Sequence, residues 1–376
     1  MNIRSAISSL FYLCFLLQVT IIHAQKPEIS VTLFRDSAFG AVWSRHDSNL
    51  VAYNAMQPNG YFGIYLANIN SANHRINERC VTCDNPSLPG KNKGAPDFQS
   101  TGKYIVFIAE KANHPGSSAN SVPGIGTYSD IWVLTLDGKK ATQLTHTPNS
   151  RDSASGIIFS IFSPDGKKLS WTEMIGKVNI WKGRQQFGSW VIKTANFIDD
   201  SIRGPYLANI KVYQPGGVPA FNEGYGWSPD GSKLIFASCF NQFWVWDDQI
   251  YTMDILGSNI RQLTSTSNSY PYNEHAFYSP DGKNIVWMTN RDAHKGSSKG
   301  GDDWWIMNSN STNQRRLTYF NDPVSPYWTG STHILGHGSF SPNGKRIIGD
   351  IGESKPIQLI PTAYGSIYVI NLIDLH

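Results

Sequence analysis

The stretch Phe162-Ser-Pro-Asp-Gly-Lys-Lys-Leu-Ser-Trp171 decides the fold, because the chain repeats it. Close copies are Trp227-Ser-Pro-Asp-Gly-Ser-Lys-Leu-Ile-Phe236, Tyr278-Ser-Pro-Asp-Gly-Lys-Asn-Ile-Val-Trp287 and Phe340-Ser-Pro-Asn-Gly-Lys-Arg-Ile-Ile-Gly349. Degenerate copies are Phe98-Gln-Ser-Thr-Gly-Lys-Tyr-Ile-Val-Phe107 and Trp43-Ser-Arg-His-Asp-Ser-Asn-Leu-Val-Ala52. In each, an aromatic ends one strand, Pro presets the turn, Asp caps it and Gly accepts a positive φ; an apolar strand follows. Each copy therefore reads as a β-hairpin.

A second pattern follows most copies. It runs Asp130-Ile-Trp-Val-Leu-Thr-Leu-Asp-Gly138 then Gln143-Leu-Thr145, Gln249-Ile-Tyr-Thr-Met-Asp254 then Gln262-Leu-Thr264, and Asp303-Trp-Trp-Ile-Met-Asn308 then Arg316-Leu-Thr318. These supply a third and a fourth strand. Four antiparallel strands repeated about six times predict an all-β, six-bladed β-propeller. In the third unit, Gly188–Lys193 and Tyr206–Tyr213 read as the outer strands with long loops. The last unit, ending in Gly365-Ser-Ile-Tyr-Val-Ile-Asn-Leu372, lacks a fourth strand. Ile29-Ser-Val-Thr-Leu-Phe34 is β-rich and is expected to supply it, so that pairing of the N- and C-terminal strands closes the ring and hides an edge.

These hairpin and third-strand motifs resemble the PD40 (WD40-like) repeat of TolB-like six-bladed propellers, over roughly residues 29–376. The resemblance implies one propeller domain over 25–376. It does not extend to TolB's separate N-terminal α/β domain, for which the reading leaves no room, and a role in the Tol–Pal envelope system is not carried over.

Residues 1–24 read as a secretory signal peptide. Arg4 precedes the apolar run Leu10–Ile22, and Ala24 occupies the small position before a cut at Gln25. The expected location is secreted or periplasmic, with no membrane span. A charged fraction of 16%, with 33 glycines and 20 prolines, suits a turn-rich folded chain. A formal net charge of +4 without basic clusters gives no reason to expect nucleic acid as a partner. The reading is of a monomer. In an oxidising compartment Cys80-Val-Thr-Cys83 most simply forms a local disulfide; a redox motif lacks its βαβ context, Asp84 stands where haem attachment needs His, and a second CxxC for zinc is missing. Cys239 reads as a buried strand residue.

Candidate chemistry gathers on the innermost strands. Counting back from the strand-ending aromatic, Glu223 and Glu274 share one offset, and His275 and His337 share the next. Equal offsets on neighbouring blades converge on the axis. These residues are the candidate ligand-binding set at one channel mouth, with His275 and His337 the candidate metal ligands and a divalent cation the cofactor in view. The bland alternative is ordinary lining of a wet channel. Two carboxylates beside a His are expected to hold it toward its charged form. Asp302 reads as solvated, Asp303 as a strand start like Asp130, and His114 and His294 as loop residues without partners. Asn310-Ser-Thr312 fits a glycosylation sequon.

No GxSxG, P-loop or dinucleotide fingerprint is present, which argues against a prolyl-oligopeptidase-type hydrolase. The leading expectation is a non-catalytic binding module for a protein, peptide or glycan. The alternative is a metal-assisted polysaccharide lyase: Gly336–Asp350 and Glu274-His275 are similar to the His-bearing hairpins of oligogalacturonate-lyase propellers.

Overall fold

The computed structural model describes residues 29–149, 155–176, 178–179, 181, 183–265, 272–292, 301–354 and 365–373. The signal-peptide reading and His294 lie outside them.

Six four-stranded antiparallel sheets form the molecule, and each packs on the next so that the sixth meets the first. The innermost strands, in blade order, are Ala38–Trp43, Lys93–Phe98, Ile157–Phe162, Asn222–Trp227, Asn273–Tyr278 and Thr332–Phe340. Closure follows the sequence reading. Ile29–Arg35 pairs antiparallel with Ser366–Leu372, placing Ile29 opposite Leu372, and so becomes the outer strand of blade six. Blade three is enlarged as expected, with outer strands Ser189–Asp200 and Gly204–Tyr213.

The repeats owe their spelling to hydrogen bonds. In the turn after Tyr278, Asp281 Oδ1 accepts from Ser279 Oγ at 2.6 Å and from the Lys283 N–H at 3.1 Å. Gly282 sits at φ 71°, where an L side chain is strained. The Leu-Thr pair ties the fourth strand to the third. Thr318 Oγ1 accepts from the Trp304 N–H at 2.9 Å and donates to Asp303 Oδ1 at 2.7 Å. Thr145 does the same between Ile131 and Asp130, and Thr264 between Ile250 and Gln249. Asp130, Gln249 and Asp303 are thereby structural.

Aromatic and aliphatic faces are buried between neighbouring blades. Phe277 and Trp304 of blade five pack with Phe340, Ile347 and Ile351 of blade six. That contact explains why the blade-six repeat ends in Gly349: a Cβ there would stand 2.4 Å from the Trp304 ring.

Candidate functional site

In five blades the innermost strand loses its register three residues before its terminal aromatic, and in blade four one residue later, at Tyr225. The residues at these breaks are Gly40, Ala95, Phe159, Tyr225, His275 and His337. Gly40, Ala95, Phe159 and His275 have φ between 51° and 67°, while in blade four the positive φ, 107°, falls on Gly226. Such bulges turn a side chain out of the pleat. The shared offset noticed in the sequence is therefore a repeated β-bulge.

The bulges bring rings together. Phe159 stacks on His337 with centroids 5.1 Å apart, and meets His275 edge-on at 6.2 Å and Tyr225 at 6.1 Å. His275 lies 5.6 Å from Tyr225 and 6.3 Å from His337. Blades three to six thus contribute a plug of rings, whereas blades one and two present only Gly40 and Ala95. At this level packed rings fill the axis, in place of the wet lining of the alternative reading. Phe159 and Tyr225 were missed because apolar rings look like core in a sequence; the shared offset of Phe159 with the two histidines was the available signal.

Between Phe159, Tyr225 and His337 and the hairpin turns lies a cavity of about 320 Å³, with Pro164, Pro229, Pro280 and Pro342 at its rim. Part of its polar lining is already engaged: Asp97 pairs with Arg45 at 3.2 Å and accepts from the Phe162 N–H, and Ser339 Oγ accepts from the Trp43 N–H, whereas the buried His337 Nδ1 has no partner. Neither Glu223 nor Glu274 lines it. One residue earlier on their strands, they lie toward the opposite end, where the long loops 111–128 and 239–248 join the second strands of their blades to the third.

Both carboxylates are buried, at 5% and 7% exposure. Tyr225 Oη donates to Glu223 Oε2 at 2.6 Å, and Glu274 receives the Tyr272 hydroxyl. Burial pushes Glu223 up to about 7, against the opposing phenol. Glu274 is raised by burial, then by the charges of Glu223 and Asp248. The histidines move the other way from the sequence expectation. Burial, then His337, lowers His275 to about 3, and burial lowers His337 to about 4. Glu274 Oε2, 3.7 Å from His275 Nε2, does not overcome that desolvation, because the carboxyl itself retains its proton more readily here.

Two further acids belong with this pair. Asp248 is wholly buried, and neither of its carboxylate oxygens accepts from an N–H or O–H; beside it lies only the weakly donating Cys239 thiol. Asp302, read as solvated, is 6% exposed and raised to about 8 by burial and then by Asp303. Among the described residues, no Lys or Arg pairs with Glu223, Asp248, Glu274 or Asp302. No three His, Cys, Asp or Glu side chains among the described residues are arranged to hold a metal ion.

Elsewhere, Cys80 and Cys83 are disulfide-bonded and Cys239 is a buried free thiol. His114 has partners after all: its Nε2 lies 2.7 Å from buried Glu110 Oε1 and its ring stacks on Tyr128, pinning the loop 111–128. No helix among the described residues is long and apolar enough to cross a membrane.

No family model and no curated protein matches the sequence. Solved structures do. A sialidase of Trypanosoma rangeli aligns with TM-score 0.54 and 11% identity over 93% of this chain and 60% of its own. An oligogalacturonate lyase of Vibrio parahaemolyticus aligns with TM-score 0.49 and 12% identity over 92% and 98%. A protein assigned as TolB from Agrobacterium tumefaciens aligns with TM-score 0.46 and 19% identity over 75% and 76%. At these identities the likeness is one of fold. The chain is a six-bladed β-propeller whose outer strand is shared between its two ends.

Proposed function

We propose that this protein is a secreted or periplasmic binding propeller, without a catalytic step of its own, that takes a protein, peptide or glycan on its long-loop face. The observation that carries the reading is the set Glu223, Asp248, Glu274 and Asp302, buried beneath that face without a described basic partner. Burying carboxyl groups without counter-charges costs stability, and a fold that keeps such a cluster at one end of its axis has a use for it there. Long loops on a rigid scaffold are the usual place for recognition. Lyase chemistry at the axis calls for a converging metal-binding set, and the histidines instead pack against Phe159.

The test is calorimetric titration of the full chain with panels of peptides and of neutral and acidic oligosaccharides. A ligand whose affinity falls at least tenfold in E274Q, with no product formed, is expected. Appearance of an unsaturated sugar product, read by ultraviolet absorbance, would overturn the binding-only reading.

A further inference from the structure

On the loops over blades three and four, several rings stand in solvent. Trp181 is 87% exposed, Phe243 66%, Trp246 49% and Trp244 45%. Exposed aromatics in one neighbourhood are unusual on a soluble surface and mark recognition sites. Trp246 stands apart because of what lies behind it. Its ring meets Phe187 edge-on at 5.2 Å and tilts against Tyr272 at 5.5 Å. Tyr272 in turn donates its hydroxyl to Glu274. The residue after Trp246 is Asp247, and the next is the buried Asp248. A ring wall thus leads from solvent to the buried acids.

Asp248 is the second, independent sign of a ligand. The one donor beside it is the weakly donating Cys239 thiol, which also lies 3.6 Å from the Arg184 carbonyl and 3.8 Å from that of Phe221, so the carboxylate has no charged partner among the described residues. The backbone N–H of Asn273 goes to the Asp248 carbonyl, not to its side chain. Its carboxylate faces the electrostatic field of Glu223 and contributes to that of Glu274 and Tyr272, so these groups form one cluster. None of the cation–π pairs formed among the described residues uses Trp246, Phe187 or Tyr272.

We infer that this face binds an organic cation, an amine, guanidinium or quaternary ammonium group, with Trp246, Phe187 and Tyr272 as its ring walls and Asp248 and Glu274, which release their protons to solvent as the cation enters, as its counter-charges. The inference rests on the reading of the long-loop face as the ligand face and names the ligand's chemical class. Ring faces attract such cations by about 0.5–2 kcal/mol each. An unpaired buried carboxylate gains more from a charge partner than an exposed one does. A bare metal ion fits less well, because it asks for converging oxygen or nitrogen ligands and gains little from ring walls.

The probes are benzyltrimethylammonium chloride and L-arginine amide, titrated calorimetrically into the full chain at pH 8 and constant ionic strength. Both should bind, with affinity reduced at least tenfold in E274Q and D248N and about fivefold in W246A. Manganese chloride should not displace them. If D248N fails to fold, E274Q, which keeps the side-chain shape, and the surface variant W246A carry the test. Absence of binding by both probes, or affinity unchanged in E274Q, overturns the inference. A neutral oligosaccharide that binds with the same E274Q sensitivity, where the cations do not, overturns the cation class and leaves the long-loop face standing as the site.

Discussion

Phe159 of blade three lies against His337 of blade six, on the far side of the ring, with centroids 5.1 Å apart and planes inclined by 25°. The contact spans the axis. Phe159 reaches it from a φ of 51°, a conformation that a bulky L residue adopts only at a cost. Packing therefore holds a strained bulge in place.

That balance predicts an ordering. Phe159→Ala should destabilise the protein by about 2–4 kcal/mol through the void it leaves. Phe159→Gly should lose less, by roughly 1 kcal/mol, because glycine relieves the positive φ. Denaturant unfolding of the two variants measures this; equal losses would mean that the bulge is unstrained.

Glu223 gives stability a pH slope. Its carboxyl is raised from 4.5 to about 7 in the folded protein. Folded protein therefore holds the proton more tightly, and the associated stabilisation is complete below pH 4.5 and lost as pH rises through 7. The loss is at most about 3 kcal/mol at 1.36 kcal/mol per pKa unit. E223Q should flatten the slope between pH 5 and 8, seen in denaturant midpoints; a slope unchanged in E223Q assigns it to other groups.

The imidazoles predict the opposite slope. His275 and His337 are lowered from 6.5 to about 3 and about 4. Their neutral forms stabilise the fold above pH 6.5, and that contribution is lost as pH falls through their folded values. Carbon-13 shifts of both rings should stay flat from pH 8 to pH 5. A titration midpoint near 6.5 at either ring would show it to be solvated. Replacing both by Ala should lower thermal stability, since His337 supports Phe159.

Val31 stands opposite Ile370 in the closing strand pair. Val31→Pro removes a backbone donor there and should loosen the outer strand of blade six. Faster hydrogen exchange across 366–372 and a tendency to associate through the freed edge are expected. Unchanged exchange would place the strength of the ring elsewhere.

Thiol counting checks the cysteines. After residues 1–24 are removed, native protein should show no reactive thiol and denatured, unreduced protein only Cys239, which burial keeps protonated in the fold. Three thiols on denaturation would mean that the pair at Cys80 and Cys83 is reduced.

The repeat made the architecture legible, because Ser279, Asp281 and Gly282 answer to local turn geometry and Thr318 to one strand junction. The end-to-end closure was legible as well, since one unit lacked a strand and one strand lacked a unit. The site was legible only where residues share an offset, as Glu223 and Glu274 do. Asp248 gave no signal: its isolation depends on which donors fail to reach it, and that is decided by packing across blades. The direction of the histidine shifts was misread for a related reason. Sequence proximity to Glu274 is visible along the chain, but the desolvation produced by Phe159 is not.

The pairing of Ile29 with Leu372 also sets an order of events. During synthesis the inner half of that junction leaves the ribosome after the first five blades, whereas its partner is made before any of them. The first-made strand must therefore wait, unpaired, while the intervening blades condense. Contacts this distant in sequence form slowly. The interval before the ends meet is when the nascent ring is most vulnerable to capture by a neighbour, and the vulnerability would scale with how many chains emerge side by side.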